Sequence, residues 1–230
     1  MNKTMNKTQI VKRTMLTVTD LHVREAGEGE QSRTIVGYAI LFNTPSAPLW
    51  QDEDSEAREV IAPEAITKEV LDGCDIKMTM FHDRQLILAR SRNGQGTLSY
   101  TVDEKGVAFE FEAPHTVDGD KALELVSRGD ISGCSFMFTT RYYDDACVER
   151  SAKTVNGFTT ITYTVKAVTG IYDFTLAADP AYPDTSVEAR EFVSELKKDG
   201  EPEEKPAVQD EKYREQVSEM RQAASRVISF

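Results

Sequence analysis

Alternating apolar residues near the middle of the chain constrain its fold more than any other feature of the sequence. The stretch GTLSYTVDEKGVAFEFEAP (residues 96–114) carries an apolar side chain at every second position on both sides of a polar tetrapeptide. The alternating residues are Leu98, Tyr100 and Val102 before the tetrapeptide and Val107, Phe109 and Phe111 after it. A period of two is typical of a strand with one buried face, so the sequence predicts a β-hairpin that turns at DEKG.

Most of the other predicted elements are also strands. They are expected at residues 15–23, 33–42, 75–84, within 130–140, and at 159–168 and 171–185, where β-branched and aromatic residues are frequent, and Asn156-Gly157 predicts a turn between strands. Short helices are expected at residues 62–73 and 119–130, and a long polar loop at residues 42–59. Many short strands with few helices predict a mostly β, α+β fold, with a closed or nearly closed β-barrel and helices packed outside it.

The character of the sequence changes near Ser186. Residues 186–198 favour a helix, residues 199–211 form a charged, proline-containing linker, and the last residues carry one apolar helical stripe. The stripe consists of Tyr213, Val217, Met220, Ala224 and Val227. We therefore expect an N-terminal arm at residues 1–14, a folded domain at 15–188, and a charged linker with a helical tail at 189–230.

The charge balance narrows the class of partner. The 230 residues include 27 basic and 39 acidic ones, a formal net charge of −12, which argues against broad binding to nucleic-acid phosphates. No apolar run approaches the ~18 residues of a membrane helix, and the basic first residues lack the apolar core of a secretory signal. Three cysteines, Cys74, Cys134 and Cys147, form no paired framework, which favours a reducing cytoplasm and buried thiols.

Three polar residues stand out because they interrupt apolar strand-like segments. His82 ends MTMFHD, Ser135 lies in GCSFMF, and Asp173 lies in IYDFTL. A serine hydroxyl becomes a useful nucleophile when a histidine takes its proton, and a carboxylate can orient and stabilise that histidine. The three residue types therefore predict serine-based nucleophilic catalysis.

Other chemistry finds less support. The chain contains neither the G-x-S-x-G elbow of α/β-hydrolases nor an H-E-x-x-H zinc motif, and His22 and His115 lie far from His82 in unrelated contexts. We therefore predict neither a metal nor a cofactor. Alternative acidic partners for His82 are Asp83, Glu110 and Glu112. Alternation places Glu110 and Glu112 on the face opposite to Phe109 and Phe111, which indicates solvent, and it places Asp83 on the face opposite to His82 if the strand continues.

Five segments, in order along the chain, form a specific pattern. They are IVGYAILFNTPS, REVIAPEAI, FHDRQLILARSRNGQGTLSYTVDEKGVAFEFEAP, ALELVSRGDISGCSFMF and YDFTLAADPAYPDT. Together they resemble the prohead maturation proteases of tailed bacteriophages, which are relatives of the herpesvirus assemblins. The resemblance covers about residues 14 to 188 and identifies residues 15–188 as the protease domain.

The resemblance implies an assemblin-like β-barrel with Ser135 as nucleophile and His82 as general base. The third position is usually acidic in the phage relatives, more often glutamate, and it falls here on Asp173. The loop after it, ADPAYPDT, is implied to supply the oxyanion hole. Because proline has no N–H, the backbone amides of Ala181 and Tyr182 are the candidate donors.

The resemblance also implies substrates and a location. The substrates would be phage scaffold, the scaffold-like segment of the major capsid protein and the protease itself, cut inside the immature prohead in the host-cell cytoplasm. A second copy of the chain is left open as a further partner. The tail could be a tether, a segment lost by self-cleavage, or a helix that packs on the barrel. A catalytically inactive assembly module with the same fold and a serine hydrolase of small esters are the competing interpretations.

Overall fold

A computed structural model describes residues 8, 11–18, 20–25, 27 and 32–178 of the chain. As the sequence predicts, most of the regular structure in these residues is β-strand. The strands are, in chain order, β1 (Val11–Val18), β2 (His22–Val23), β3 (Thr34–Leu41), β4 (Trp50–Gln51), β5 (Ser55–Ile61), β6 (Asp75–Met80), β7 (Asp83–Arg92), β8 (Gln95–Gly96), β9 (Leu98–Val102), β10 (Gly106–Glu112), β11 (Gly133–Thr140), β12 (Val148–Val155), β13 (Phe158–Val165) and β14 (Gly170–Ala177). The helices are α1 (Lys68–Asp72) and α2 (Val117–Ser127), and a 3-10 turn covers Pro63–Ala65.

These strands form three sheets, so the predicted closed or nearly closed β-barrel is not found in the described part of the chain. One sheet has the order β1-β11-β14-β6-β7-β8, a second β2-β3-β10-β9, and a third β12-β13-β5-β4. All pairings are antiparallel except β13 with β5 and β14 with β6. The two-residue strands β2, β4 and β8 each end a sheet, and their shortness limits further pairing along those edges.

The hairpin predicted from alternation is confirmed as β9 and β10. The Asp103 carboxylate closes its turn by accepting the backbone N–H groups of Lys105 at 2.8 Å and Gly106 at 2.9 Å. Gly106 is needed there because a Cβ atom would lie 2.0 Å from the carbonyl oxygen of Ile40 on β3. The turn residues therefore fix both the hairpin and its contact with the neighbouring strand.

The polar loop predicted at residues 42–59 is wrong in its second half, where the structure has β4 and β5. Within β5, Ala57, Glu59 and Ile61 are all buried. The Glu59 carboxylate lies 3.4 Å from the guanidinium of Arg13 on β1, and the two residues are only 1% and 5% exposed. A charged residue at a core position hides a strand from pattern analysis, because its burial requires a partner that lies far away in the sequence.

β1 begins at Val11, inside the segment predicted as an arm. Its eight residues pair antiparallel with β11, from Val11 opposite Thr140 to Val18 opposite Gly133. The ion pair between Arg13 and Glu59 explains why this basic segment can join the fold. The predicted boundary at residue 188, the linker and the helical tail lie outside the described residues.

The first predicted helix is corrected to two shorter pieces. Ile66 is extended, with φ −135° and ψ 103°, so it separates the 3-10 turn from α1. The hydroxyl of Thr67 then caps α1 by accepting the N–H of Val70 at 3.4 Å. β12 is a full strand that the sequence does not predict, because its residues are mostly exposed. The predicted Asn156-Gly157 turn does join β12 to β13, with φ values of 52° and 85°.

α2 leads directly into β11. Thr116 caps its start by accepting the N–H of Gly119 at 3.2 Å. At its end Gly129 has φ +78°, and the N–H of Ile131 returns to the carbonyl of Leu125 at 3.1 Å. A left-handed glycine with this return hydrogen bond is the usual way to end a helix, and it directs the chain into β11. Neither α1 nor α2 is long and apolar enough to cross a bilayer, and the described residues contain no other candidate helix.

The core behind β11 is aromatic. Phe136 and Phe138 on β11 and Phe174 on β14 are fully buried, and the rings of Phe136 and Phe138 stack with centroids 5.2 Å apart. Because side chains alternate along a strand, these rings lie on the face opposite to Ser135. Their packing therefore holds the strand that carries the serine.

Replacement of Phe136 tests this anchoring. Phe136→Ala should lower the free energy of unfolding by about 3–5 kcal/mol, because it leaves a cavity in a fully buried site. Val117→Ala, at a residue that is 84% exposed, should change stability by less than about 0.5 kcal/mol. Urea denaturation of both variants measures the difference, and equal small effects would contradict the assigned core.

Candidate active site

Three neighbouring strands of the six-stranded sheet place the candidate residues in register. Ser135 on β11 lies opposite Thr175 on β14, and Thr175 lies opposite Thr79 on β6. Directly opposite residues share a face of a sheet, and residues two apart in one strand do so as well. Asp173 is two residues before Thr175, so the sheet itself brings Asp173 and Ser135 to the same face.

His82 lies in the turn between β6 and β7, which corrects the single strand predicted for residues 75–84. β6 ends at Met80, and both Phe81 and His82 adopt left-handed backbone conformations, with φ 54° and 57°. His82 therefore does not continue the alternation of Met78 and Met80 along β6. A left-handed conformation costs a non-glycine residue about 1–2 kcal/mol, so contacts elsewhere must hold this turn.

The turn places the imidazole between the serine and the carboxylate. Nε2 of His82 is 2.9 Å from Oγ of Ser135, and Nδ1 is 2.8 Å from Oδ1 of Asp173. Ser135 and Asp173 are each 3% exposed, whereas the His82 side chain is 24% exposed. The three side chains thus form a continuous hydrogen-bonded row that reaches solvent mainly through the imidazole.

The carboxylate determines which ring nitrogen carries the proton. An ionised carboxylate only accepts hydrogen bonds, so Nδ1 of a neutral His82 must donate its N–H to Asp173. The lone pair of Nε2 then faces the hydroxyl of Ser135. This is the arrangement in which an imidazole can remove a proton from a serine.

The Ser135 hydroxyl has a second acceptor on β1. Its Oγ is 2.9 Å from the carbonyl oxygen of Met15, and the distance from Oγ to Nε2 of His82 is the same. A hydroxyl has one hydrogen, so it donates to the carbonyl or to the imidazole but not to both. β1 therefore offers the hydroxyl a resting hydrogen bond that proton transfer to His82 must replace.

Cys134, next to the serine, is a poor competitor as a nucleophile. It is fully buried, and burial raises the pKa of its thiol well above the ordinary value, with the Asp173 carboxylate adding to the shift. The reactive form of cysteine is the thiolate, so Cys134 stays protonated and inert. Cys147 is also buried and Cys74 is half-buried, and all three thiols are free.

The alternative acidic residues have other partners or lie in another sheet. Glu110 and Glu112 are exposed residues of β10, in a different sheet, and Glu110 pairs with Arg24. The Asp83 carboxylate accepts the backbone N–H of Gln85 at 2.8 Å. Within the described part of the chain, no cluster of His, Cys, Asp and Glu has the arrangement of a metal site. Ala181 and Tyr182, the candidate oxyanion donors, lie outside the described residues.

Sequence reasoning missed two threonines that touch this site. Oγ1 of Thr175 accepts the backbone N–H of His82 at 2.8 Å and the hydroxyl of Thr79 at 2.9 Å. Both threonines are fully buried. Thr175 could have been noticed from its position two residues after Asp173, because alternation places the two side chains on one face.

Comparison with known proteins identifies the family. The model of the caudovirus prohead serine protease family matches residues 19–199. This match covers most of the chain, so the chain belongs to the caudovirus prohead serine protease family, and the predicted resemblance to phage prohead proteases is confirmed.

Other comparisons add little. No curated protein matches the chain significantly. Among solved structures, the capsid assembly protease gp21 of bacteriophage T4 is similar at 11% identity over 74% of this chain and 98% of that chain, with a TM-score of 0.35. A likeness of this size carries no argument about the present protein.

Removal of the charge on Asp173 tests the hydrogen-bonded row. Asp173→Asn should slow hydrolysis by up to about 10⁴-fold, because an amide can favour the wrong tautomer of His82 and cannot stabilise its cation. Asp83→Asn is the matched control, since that side chain serves only the turn at Gln85. Turnover of a common substrate by both variants gives the comparison, and comparable rates would rule out a role for Asp173.

Proposed function

We propose that this chain is a serine endopeptidase that cleaves phage scaffold and capsid proteins during prohead maturation. The observation that carries the proposal is the imidazole of His82, which lies within hydrogen-bond distance of Ser135 on one side and Asp173 on the other. Membership of the prohead serine protease family supports the same chemistry and the phage setting.

In the proposed mechanism Ser135 Oγ attacks the carbonyl carbon of a peptide bond while Nε2 of His82 takes the hydroxyl proton. The resulting imidazolium donates hydrogen bonds on both sides, and Asp173 stabilises its charge. His82 then gives the proton to the leaving amine, and an acyl-enzyme remains on Ser135. Water activated by His82 hydrolyses this ester and restores the serine.

The oxyanion of the tetrahedral intermediate needs hydrogen-bond donors. We assign this role to the backbone N–H groups of Ala181 or Tyr182, following the family resemblance of the loop after β14. Each such donor is worth about 2.7–4 kcal/mol of transition-state stabilisation in serine proteases. Pro180 and Pro183 have no N–H and would stiffen the loop instead.

The proposed substrates are the phage scaffold, the scaffold-like segment of the major capsid protein and the protease chain itself. Cleavage would take place inside the immature prohead, in the host-cell cytoplasm. The net charge of −12 fits an enzyme that works on proteins rather than on nucleic acid. The residues after 188 would act as a tether to scaffold or be removed by self-cleavage. We also propose that the chain is a distant relative of the herpesvirus assemblins.

The two competing functions predict different behaviour. An inactive assembly module would have no reason to hold the serine, imidazole and carboxylate at 2.9 Å and 2.8 Å. A hydrolase of small esters would turn over such esters but leave capsid and scaffold proteins intact.

Co-expression with the neighbouring capsid gene tests the proposed function. The wild type should generate new termini in the capsid or scaffold protein, detected by mass spectrometry, and Ser135→Ala should generate none because the nucleophile is absent. Ser91→Ala is the matched control, since Ser91 is another buried serine, whose hydroxyl contacts that of Tyr100 at 3.4 Å. That variant should cleave like the wild type.

A fluorophosphonate probe separates the remaining alternatives. Labelling at Ser135 without any cleavage of capsid or scaffold protein, together with turnover of small esters, would favour the general hydrolase. Absence of both labelling and cleavage would leave the inactive module as the better account. Cleavage that persists in Ser135→Ala would refute the assigned nucleophile.

A further inference from the structure

We propose that Thr175 is the positioning residue for His82, and that the hydroxyl of Thr79 fixes Thr175 in that role. The inference rests on the proposed function, because it concerns how the general base of that reaction is held. The hydroxyl of Thr175 forms hydrogen bonds with the His82 N–H and with Thr79, so the proposed effect passes through the backbone of His82.

The need for a positioning contact comes from the turn itself. Phe81 and His82 are consecutive residues with φ 54° and 57°, and neither is glycine. A pair of left-handed residues does not keep this conformation without support from its surroundings. Rotation of the backbone here would move both ring nitrogens of His82 away from Ser135 and Asp173.

Two consecutive N–H groups tie the turn to β14. The N–H of Phe81 donates to the carbonyl oxygen of Leu176 at 3.1 Å, and the N–H of His82 donates to Oγ1 of Thr175 at 2.8 Å. The first contact uses only backbone atoms, so many residue types would permit it at position 176. The second contact requires a side-chain acceptor at position 175, which the threonine hydroxyl supplies.

The acceptor hydroxyl is itself held in place. The Thr79 hydroxyl donates to Oγ1 of Thr175 at 2.9 Å, and both residues are fully buried on adjacent parallel strands. The hydroxyl of Thr175 on β14 therefore binds the turn, and the hydroxyl of Thr79 on β6 fixes its orientation. Since Asp173 lies two residues earlier on β14, this one strand positions both the carboxylate of Asp173 and the backbone of His82.

The variants Thr175→Val and Thr175→Ser separate positioning from packing. Valine keeps the shape of threonine but removes the acceptor for the His82 N–H, whereas serine keeps the hydroxyl and loses a methyl group. Thr140→Val is the matched control, because Thr140 is a fully buried threonine on β11 whose hydroxyl donates to the carbonyl of Ala167 at 2.6 Å.

The readout is the rate at which a fluorophosphonate probe labels Ser135, resolved into the maximal rate and the half-saturating concentration. Thr175→Val should lower the maximal rate about 10- to 100-fold, as expected for a reacting group misplaced by up to about 1 Å, with little change in the half-saturating concentration. Thr175→Ser should retain most of the rate, and Thr140→Val should match the wild type. Equal rates in Thr175→Val and the wild type would overturn the proposal, as would a serine variant as slow as the valine variant.

Hydrogen exchange at the His82 amide provides a readout that needs no activity. This amide should exchange faster in Thr175→Val and keep its protection in Thr140→Val. Unchanged protection in Thr175→Val would contradict the inference. An unreactive Ser135 in the wild type would count against the proposed function alone and would leave this exchange test valid. If Thr175→Val does not fold, Thr79→Val gives the same test, with faster exchange and slower labelling expected and wild-type values overturning the proposal.

Discussion

The candidate site depends on the pairing of β14 between β11 and β6. β14 carries Asp173 and Thr175 on one face and buries Phe174 and Leu176 on the other. A slip of one residue would exchange the two faces and remove both polar groups from the site. Hydrophobic packing therefore fixes the register, and the register fixes where the carboxylate and the support for His82 lie relative to the serine.

Much of this arrangement could be predicted because it depends on local pattern. The alternation around Phe109 identified the hairpin, and Asn156-Gly157 identified a turn with the required backbone conformation. The polar residues Ser135 and Asp173 were conspicuous because they occupy strand positions where side chains are buried. A buried polar residue needs a partner, and His82 is a partner that Ser135 and Asp173 share.

What escaped prediction depends on contacts between distant parts of the chain. Glu59 reads as a loop residue until Arg13, 46 positions earlier, is known to meet it in the core. The turn at His82 carries no glycine or Asn-Gly signal, so its left-handed conformation depends on the pairing of Met80 with Asp83 across the turn and on contacts with β14. The hydrogen bond from Ser135 to the Met15 carbonyl has no sequence signal either, because any residue supplies a backbone oxygen.

The proton on the His82 ring is the most direct measure of whether these contacts prepare the serine. Nitrogen-15 NMR of the neutral imidazole distinguishes a proton on Nδ1 from one on Nε2. The hydrogen bond to Asp173 predicts that the proton resides on Nδ1, which leaves Nε2 free to accept from Ser135. A neutral His82 with its proton on Nε2 would contradict the account, because that nitrogen could not then receive the proton of the serine.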